Sequence, residues 1–131
     1  MAVIATVRKD GRPQCVPNWY EYSDGHLLPN MTTGCVRLSH MKANPNVAMS
    51  IMWHKQWYRH LSIIGHVVEI YEDVAMQDLD RISMRCIGLP HKTRGQQRVN
   101  ARVAINAWLG WDATTFATSG VAKASNQFGQ G

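Results

Sequence analysis

Long stretches of this sequence lack any acidic side chain. Of its 131 residues only nine are Asp or Glu, and none lies between Asp24 and Glu69 or between Asp80 and Asp112. The first gap holds Arg37, Lys42, Lys55 and Arg59, and the second holds Arg81, Arg85, Lys92, Arg94, Arg98 and Arg102. The acids cluster instead between Glu69 and Asp80. A net charge of +5 and a pI of about 9.4 follow, which point to an anionic partner without naming it. Two separated basic stretches can converge on one phosphate-bearing ligand, or form a solvated face.

Other absences narrow the field. Cys15, Cys35 and Cys86 are an odd, widely spaced set without a CxxC, so buried reduced thiols are expected. The six histidines include no HExxH or other ligand spacing, and a metal site is not expected. No apolar run approaches the roughly 18 residues of a membrane span, so no membrane association is expected. The start, Met1 to Arg8, has neither a basic leader nor a long apolar core and reads as a first strand, which favours a cytoplasmic protein. An upstream helix is expected to be absent or to lie in a neighbouring subunit's territory. Ser-His-Asp, Cys-His and paired-carboxylate sets, GxGxxG and the P-loop are all missing, so in an enzyme a cofactor would supply the chemistry.

What is present is mostly strand. Residues 2–8 alternate, and Asp10-Gly11 is a hairpin turn into a second strand over 14–22. Asp24-Gly25 turns the chain again into a strand near 26–32, which makes a three-stranded meander. Cys35, Leu38 and Met41 then recur at helical spacing, with Thr33 as the expected cap and Pro45 enforcing a stop. Strands follow over 46–54 and 60–72, the second expected to be central, with Gly65 marking a bulge or a close backbone approach. Asp73 is expected to cap a helix to about residue 87 whose buried stripe is Ala75, Leu79, Ile82 and Cys86. A basic loop over 89–99 and a strand over 100–109 complete a domain of residues 1–111. Residues 112–131 hold little to bury and are expected to be a flexible tail. The fold class is mainly β: a small six-stranded antiparallel barrel with two short helices.

Two fragments suggest a site. In Thr32-Thr33-Gly34-Cys35-Val36-Arg37 a strand opens into a helix, offering free N–H groups, a helix dipole and a forked donor to an anion. The same fragment is also an ordinary Thr cap followed by a solvated Arg. Pro17-Asn18-Trp19-Tyr20 could flank a planar ring, although strand aromatics more often pack in a core.

Taken together, the motifs resemble a known family. The stretch 5–14 is similar to the first hairpin of the pyridoxamine-phosphate-oxidase-like, FMN-binding split β-barrel superfamily. Thr32 to Leu38 followed by Met41 to Val47 resembles its cofactor-phosphate segment, and Gly65 to Ile70 its central strand. Arg85 to Pro90 resembles a late motif in which an aromatic more often stands at Cys86. The likeness spans residues 2–111 and is nearest to the short actinobacterial-type branch that uses the deazaflavin coenzyme F420. It implies a split-barrel homodimer with cofactor sites between subunits, and a reduced deazaflavin that hands a hydride to an activated alkene or quinone-like substrate. By the same likeness Thr32, Thr33 and Arg37 would hold the cofactor phosphate, and Pro17, Asn18 and Trp19 would border the ring. Lys42 and the basic loop would meet an oligoglutamate tail. The branch often has Lys at the position of Arg37, and it normally begins with a short helix that is missing here.

FMN is the alternative cofactor, in an oxidase or flavin reductase of the same fold. A non-catalytic cofactor carrier ranks next, and a nucleic-acid binder last, because the Trp and Tyr positions do not line up on one face. Tyr20, Tyr22 and His54 are candidate proton donors by residue type alone.

Overall fold

A computed structural model describes residues 1–112 and 121–122 of the chain. Eight strands and two helices follow in the order β1 (Ala2–Val7), β2 (Pro13–Asn18), β3 (Tyr20–Ser23), β4 (His26–Thr32), α1 (Val36–Ala43), β5 (Asn46–Trp53), β6 (Gln56–Glu72), α2 (Gln77–Ile87), β7 (Arg98–Trp111) and β8 (Val121–Ala122). One antiparallel sheet runs β2-β1-β5-β6-β7-β4-β3, and β8 adds to β7. The fold is mainly β, as expected, with seven strands on the main path instead of six. Most of the expected 112–131 tail lies outside the described residues. Among the described residues no helix is long and apolar enough to cross a membrane.

The extra strand arises where the expected 14–22 strand divides at Trp19. β2 pairs with β1 and β3 with β4, so consecutive strands sit at opposite ends of the sheet path. This replaces the expected meander. Pro13 and Pro17 have no N–H to give, which confines β2 to the edge. The Asn18 amide then donates to the carbonyls of Trp19 (2.7 Å) and Asn30 (3.2 Å), bonds that bridge the two ends of the sheet.

Both Asp-Gly turns form. Gly11 has φ +82°, and Asp24 and Gly25 have φ +50° and +75°, the double left-handed geometry of a two-residue hairpin. Ala2, Ile4 and Thr6 of β1 face a core shared with Leu27, Met31, Leu38, Met49, Ile63 and Val103. β6 is central, and its pairing with β7 slips at Ile64/Gly65 and Val67/Glu69. These bulges curve the sheet. A Cβ on Gly65 would sit 2.3 Å from the Ala104 carbonyl oxygen, so both expectations for this glycine hold. β6 starts at Gln56, earlier than expected, because only His54 and Lys55 separate it from β5.

The helices differ from expectation at their starts. α1 begins at Val36 with Cys35 as N-cap and no side-chain cap, so Thr33 does not cap it. Thr33 instead donates its N–H to the Gln97 carbonyl (3.1 Å). Asp73 does cap α2, but from a distance: its carboxylate accepts the Asp78 and Leu79 N–H groups at 2.8 and 2.9 Å. The intervening Ala75 and Met76 are left-handed (φ 54° and 58°). That later start rotates the buried stripe to Leu79, Ile82 and Ser83, leaving Ala75 and Cys86 exposed. Cys15 is exposed on the edge strand and Cys35 half-buried, so buried thiols are not found, although all three are free.

Glu21 of β3, only 8% exposed at its side chain, ties the barrel edge to α2 through Arg81 and Arg85. Its carboxyl is held below its ordinary value near 4.5 by the Arg81 hydrogen bonds, against the cost of burial. As pH falls the unfolded carboxylate protonates first, so this stabilisation is full above about pH 4.5 and drains as the depressed folded value is approached. Urea unfolding should find Glu21→Gln less stable than wild type at pH 7, with a gap that closes below about pH 4.5. A gap independent of pH would mean the contact is not ionic. Gly65→Ala should cost about 1–3 kcal/mol in the same assay, since a rigid backbone carbonyl must move. An unchanged midpoint would show that the bulge gives way freely.

Candidate anion-binding cavity

The strand crossing at Asn18–Tyr20 and the start of α1 meet at an open cavity of about 250 Å³. Four of the expected site residues line it: Pro17, Asn18, Trp19 and Arg37. Three others do not. Thr32 is half-buried at the end of β4 opposite Arg98, while Thr33 and Lys42 lie exposed on the surface. The N–H groups of Thr33 and Cys35 are already bonded to Gln97 and Thr32 carbonyls, so part of the expected N–H cradle is used. The proton-donor candidates also lie elsewhere: Tyr20 and Tyr22 line a different cavity, and His54 packs edge-on against Trp53.

Sequence reasoning missed the residues that complete the site. Asn30, His91 and Arg98 line the same cavity. Arg98 donates from Nε to the Asn30 side-chain oxygen at 2.6 Å. Asn30 is buried and in turn donates to Asp73 (2.8 Å) and Asn100 (2.9 Å). Asn100 donates to Asp78 at 2.6 Å. His91 stands edge-on to Trp19, with ring centroids 6.0 Å apart. Its backbone N–H is anchored by Asp80, which also holds Arg94. Arg94 therefore fastens the basic loop internally, whereas Arg98 of the same stretch enters the site. The one sequence signal was a polar Asn30 within the apolar run Leu27 to Met31. Its partners lie 43 to 70 residues away and left no local trace.

The electrostatics favour an anion. Burial holds the Arg98 guanidinium below its ordinary value; Asp73 opposes the shift and the nearby Arg37 charge adds to it. Arg remains protonated at any physiological pH, so two positive groups face one cavity. Arg37 Nε is buried without a hydrogen-bond partner. A buried donor left unpaired costs roughly 1–3 kcal/mol, so the arrangement suits an acceptor arriving from solution. A phosphate or phosphodiester supplies both the charge and the forked geometry that guanidinium favours.

An antiparallel split barrel of this strand order is the fold of an oxidoreductase-like class of protein whose members bind flavin or related cofactors. The chain belongs to the pyridoxamine 5'-phosphate oxidase family, whose profile matches residues 1–112. Among solved structures it is similar to an F420 reductase, with 30% identity, a TM-score of 0.75 and coverage of 82% of this chain and 86% of that one. A conserved hypothetical protein from Mycobacterium tuberculosis shares the fold at 20% identity and TM-score 0.69, over 92% and 82% of the two chains. So does General Stress Protein 26 from Bacillus anthracis, at 17% identity and TM-score 0.61, over 83% and 81%. No curated protein matches in a sequence search.

Replacing Asn30 by Ala removes the support of Arg98 and leaves buried groups of Asp73 and Asn100 short of a partner. It should lower stability by about 2–4 kcal/mol in urea unfolding. A loss under about 0.5 kcal/mol would mean that the network is dispensable.

Proposed function

We propose that the protein is an oxidoreductase that uses the deazaflavin coenzyme F420. The observation that carries the proposal is the half-buried Arg37, whose buried Nε has no hydrogen-bond partner, lining one cavity with Arg98. Arg37 and Arg98 hold the cofactor phosphate. Pro17, Asn18 and Trp19, which line the same cavity, border the ring system. When bound and reduced, the deazaflavin supplies a hydride to an electron-poor substrate such as an activated alkene or a quinone-like ring. The resemblance at 30% identity to an F420 reductase supports the deazaflavin over FMN.

A homodimer belongs to the same proposal. A volume of about 250 Å³ falls below the roughly 300–1,000 Å³ of common cofactor pockets, so a second copy supplies the missing wall. The outer face of β6 offers a surface for it: Ile64 and Val68 are 43% and 49% exposed there. Cytoplasmic location is part of the proposal as well. Lys42 and Lys92, both exposed on one-sign stretches of the chain, lie free to meet an anionic tail on the cofactor.

The test is a fluorescence titration of the protein with coenzyme F420 and, separately, with FMN. Micromolar or tighter binding of the deazaflavin with weak FMN binding is expected. Arg37→Ala should weaken it by about 1.5–3 kcal/mol, roughly ten- to two-hundredfold. Unchanged affinity in that variant would remove Arg37 from the site. A preference for FMN would make the protein a flavin enzyme of the same fold.

A further inference from the structure

A second cavity, of about 380 Å³, shares no lining residue with the first. The two are separated along β7, where Arg98 is the first residue and Trp108 lies near the far end. Leu27 and Ile63, 2% and 4% exposed, belong to both its lining and the core. Ile105 continues the aliphatic wall from β7. Nothing charged lines it. Three of the lining residues carry a polar group on an apolar ring: Tyr20, Tyr22 and Trp108. None of the three polar groups makes a hydrogen bond among the described residues.

We propose that this cavity binds an uncharged, ring-bearing small molecule that carries a hydrogen-bond acceptor such as a carbonyl. Its volume lies within the range of small-molecule sites, and a mainly apolar lining with a few polar groups is their usual make-up. A charged ligand is disfavoured, because no charged side chain lines the cavity and a carboxylate there loses its water. The neutral donors favour a carbonyl over a plain hydrocarbon, since each can replace a bond that the oxygen gave up in water. A molecule of two fused rings is small enough to enter a cavity of about 380 Å³. The site stands independently of the cofactor assignment, because neither Arg37 nor Arg98 contributes to it.

The experiment uses the full chain and follows its tryptophan indole N–H signals by ¹⁵N NMR, with the Trp108 signal identified from Trp108→Phe. The probe is 1-tetralone, with tetralin as the analogue lacking oxygen and 2-naphthoate as the charged one. The Trp108 signal should shift saturably with 1-tetralone, less readily with tetralin, and not with 2-naphthoate. Tyr22 is 61% exposed, so Tyr22→Phe should fold normally and weaken 1-tetralone by roughly three- to tenfold while leaving tetralin unchanged. Arg37→Ala should bind 1-tetralone as wild type does. A Trp108 signal that stays put at millimolar probe would overturn the proposal. Equal affinity for 1-tetralone and tetralin, or equal shifts at the exposed Trp53 and Trp57, would also overturn it.

Discussion

One buried carboxylate holds this molecule's site together. Asp73 accepts two backbone N–H groups from the start of α2 and the amide of Asn30 from β4. Through Asn30 it fixes the position of Arg98, and its charge offsets the burial of that guanidinium. A carboxylate 3% exposed would be costly without partners, and three donors satisfy it. The arrangement also explains the left-handed Ala75 and Met76 just before α2. Non-glycine residues in that region cost of order 1–3 kcal/mol each, and they persist where surrounding bonds over-determine them.

The same reasoning accounts for the charge distribution. Most of the clustered acids are consumed inside the fold. Asp78 is bonded by Arg81 and Asn100, Asp80 by Arg94 and the His91 N–H, and Asp73 by the α2 terminus. Arg37 forms no ion pair with these acids, and its buried Nε has no hydrogen-bond partner. A net positive charge alone says only that anions are attracted; a buried Nε–H without a partner says where.

Local rules were legible in the sequence wherever the physics was local. Both Asp-Gly turns, the stop of α1 before Pro45 and the close approach at Gly65 depend on a few adjacent residues. The division of the second strand at Trp19 was hidden, because the amide that bridges it bonds a carbonyl 12 residues on. The start of α2 was misjudged for a related reason. A capping carboxylate can reach across an irregular turn, and periodicity counted from Asp73 then assigns Cys86 to the wrong face. Half of the candidate site could be named beforehand because Pro17 to Trp19 and Arg37 lie in compact motifs. Asn30, His91 and Arg98 could not, since their roles exist only once distant strands are paired.

The bonds at the cavity close chain loops of very different length. Asn18 reaches across 12 residues, whereas Arg98 reaches Asn30 across 68. Loop entropy grows slowly, so the longer closure costs only about 1.5 kcal/mol more by the usual 0.6 kcal/mol per doubling. Time is the larger difference, because remote pairings form late in folding. The short closure can join the ends of the sheet while β7 is still unpaired, but the paired guanidinium groups come together only when β7 docks. The cavity is therefore complete only once β7 has paired. An anion held there binds the finished fold alone and stabilises the whole barrel, in proportion to the logarithm of its concentration.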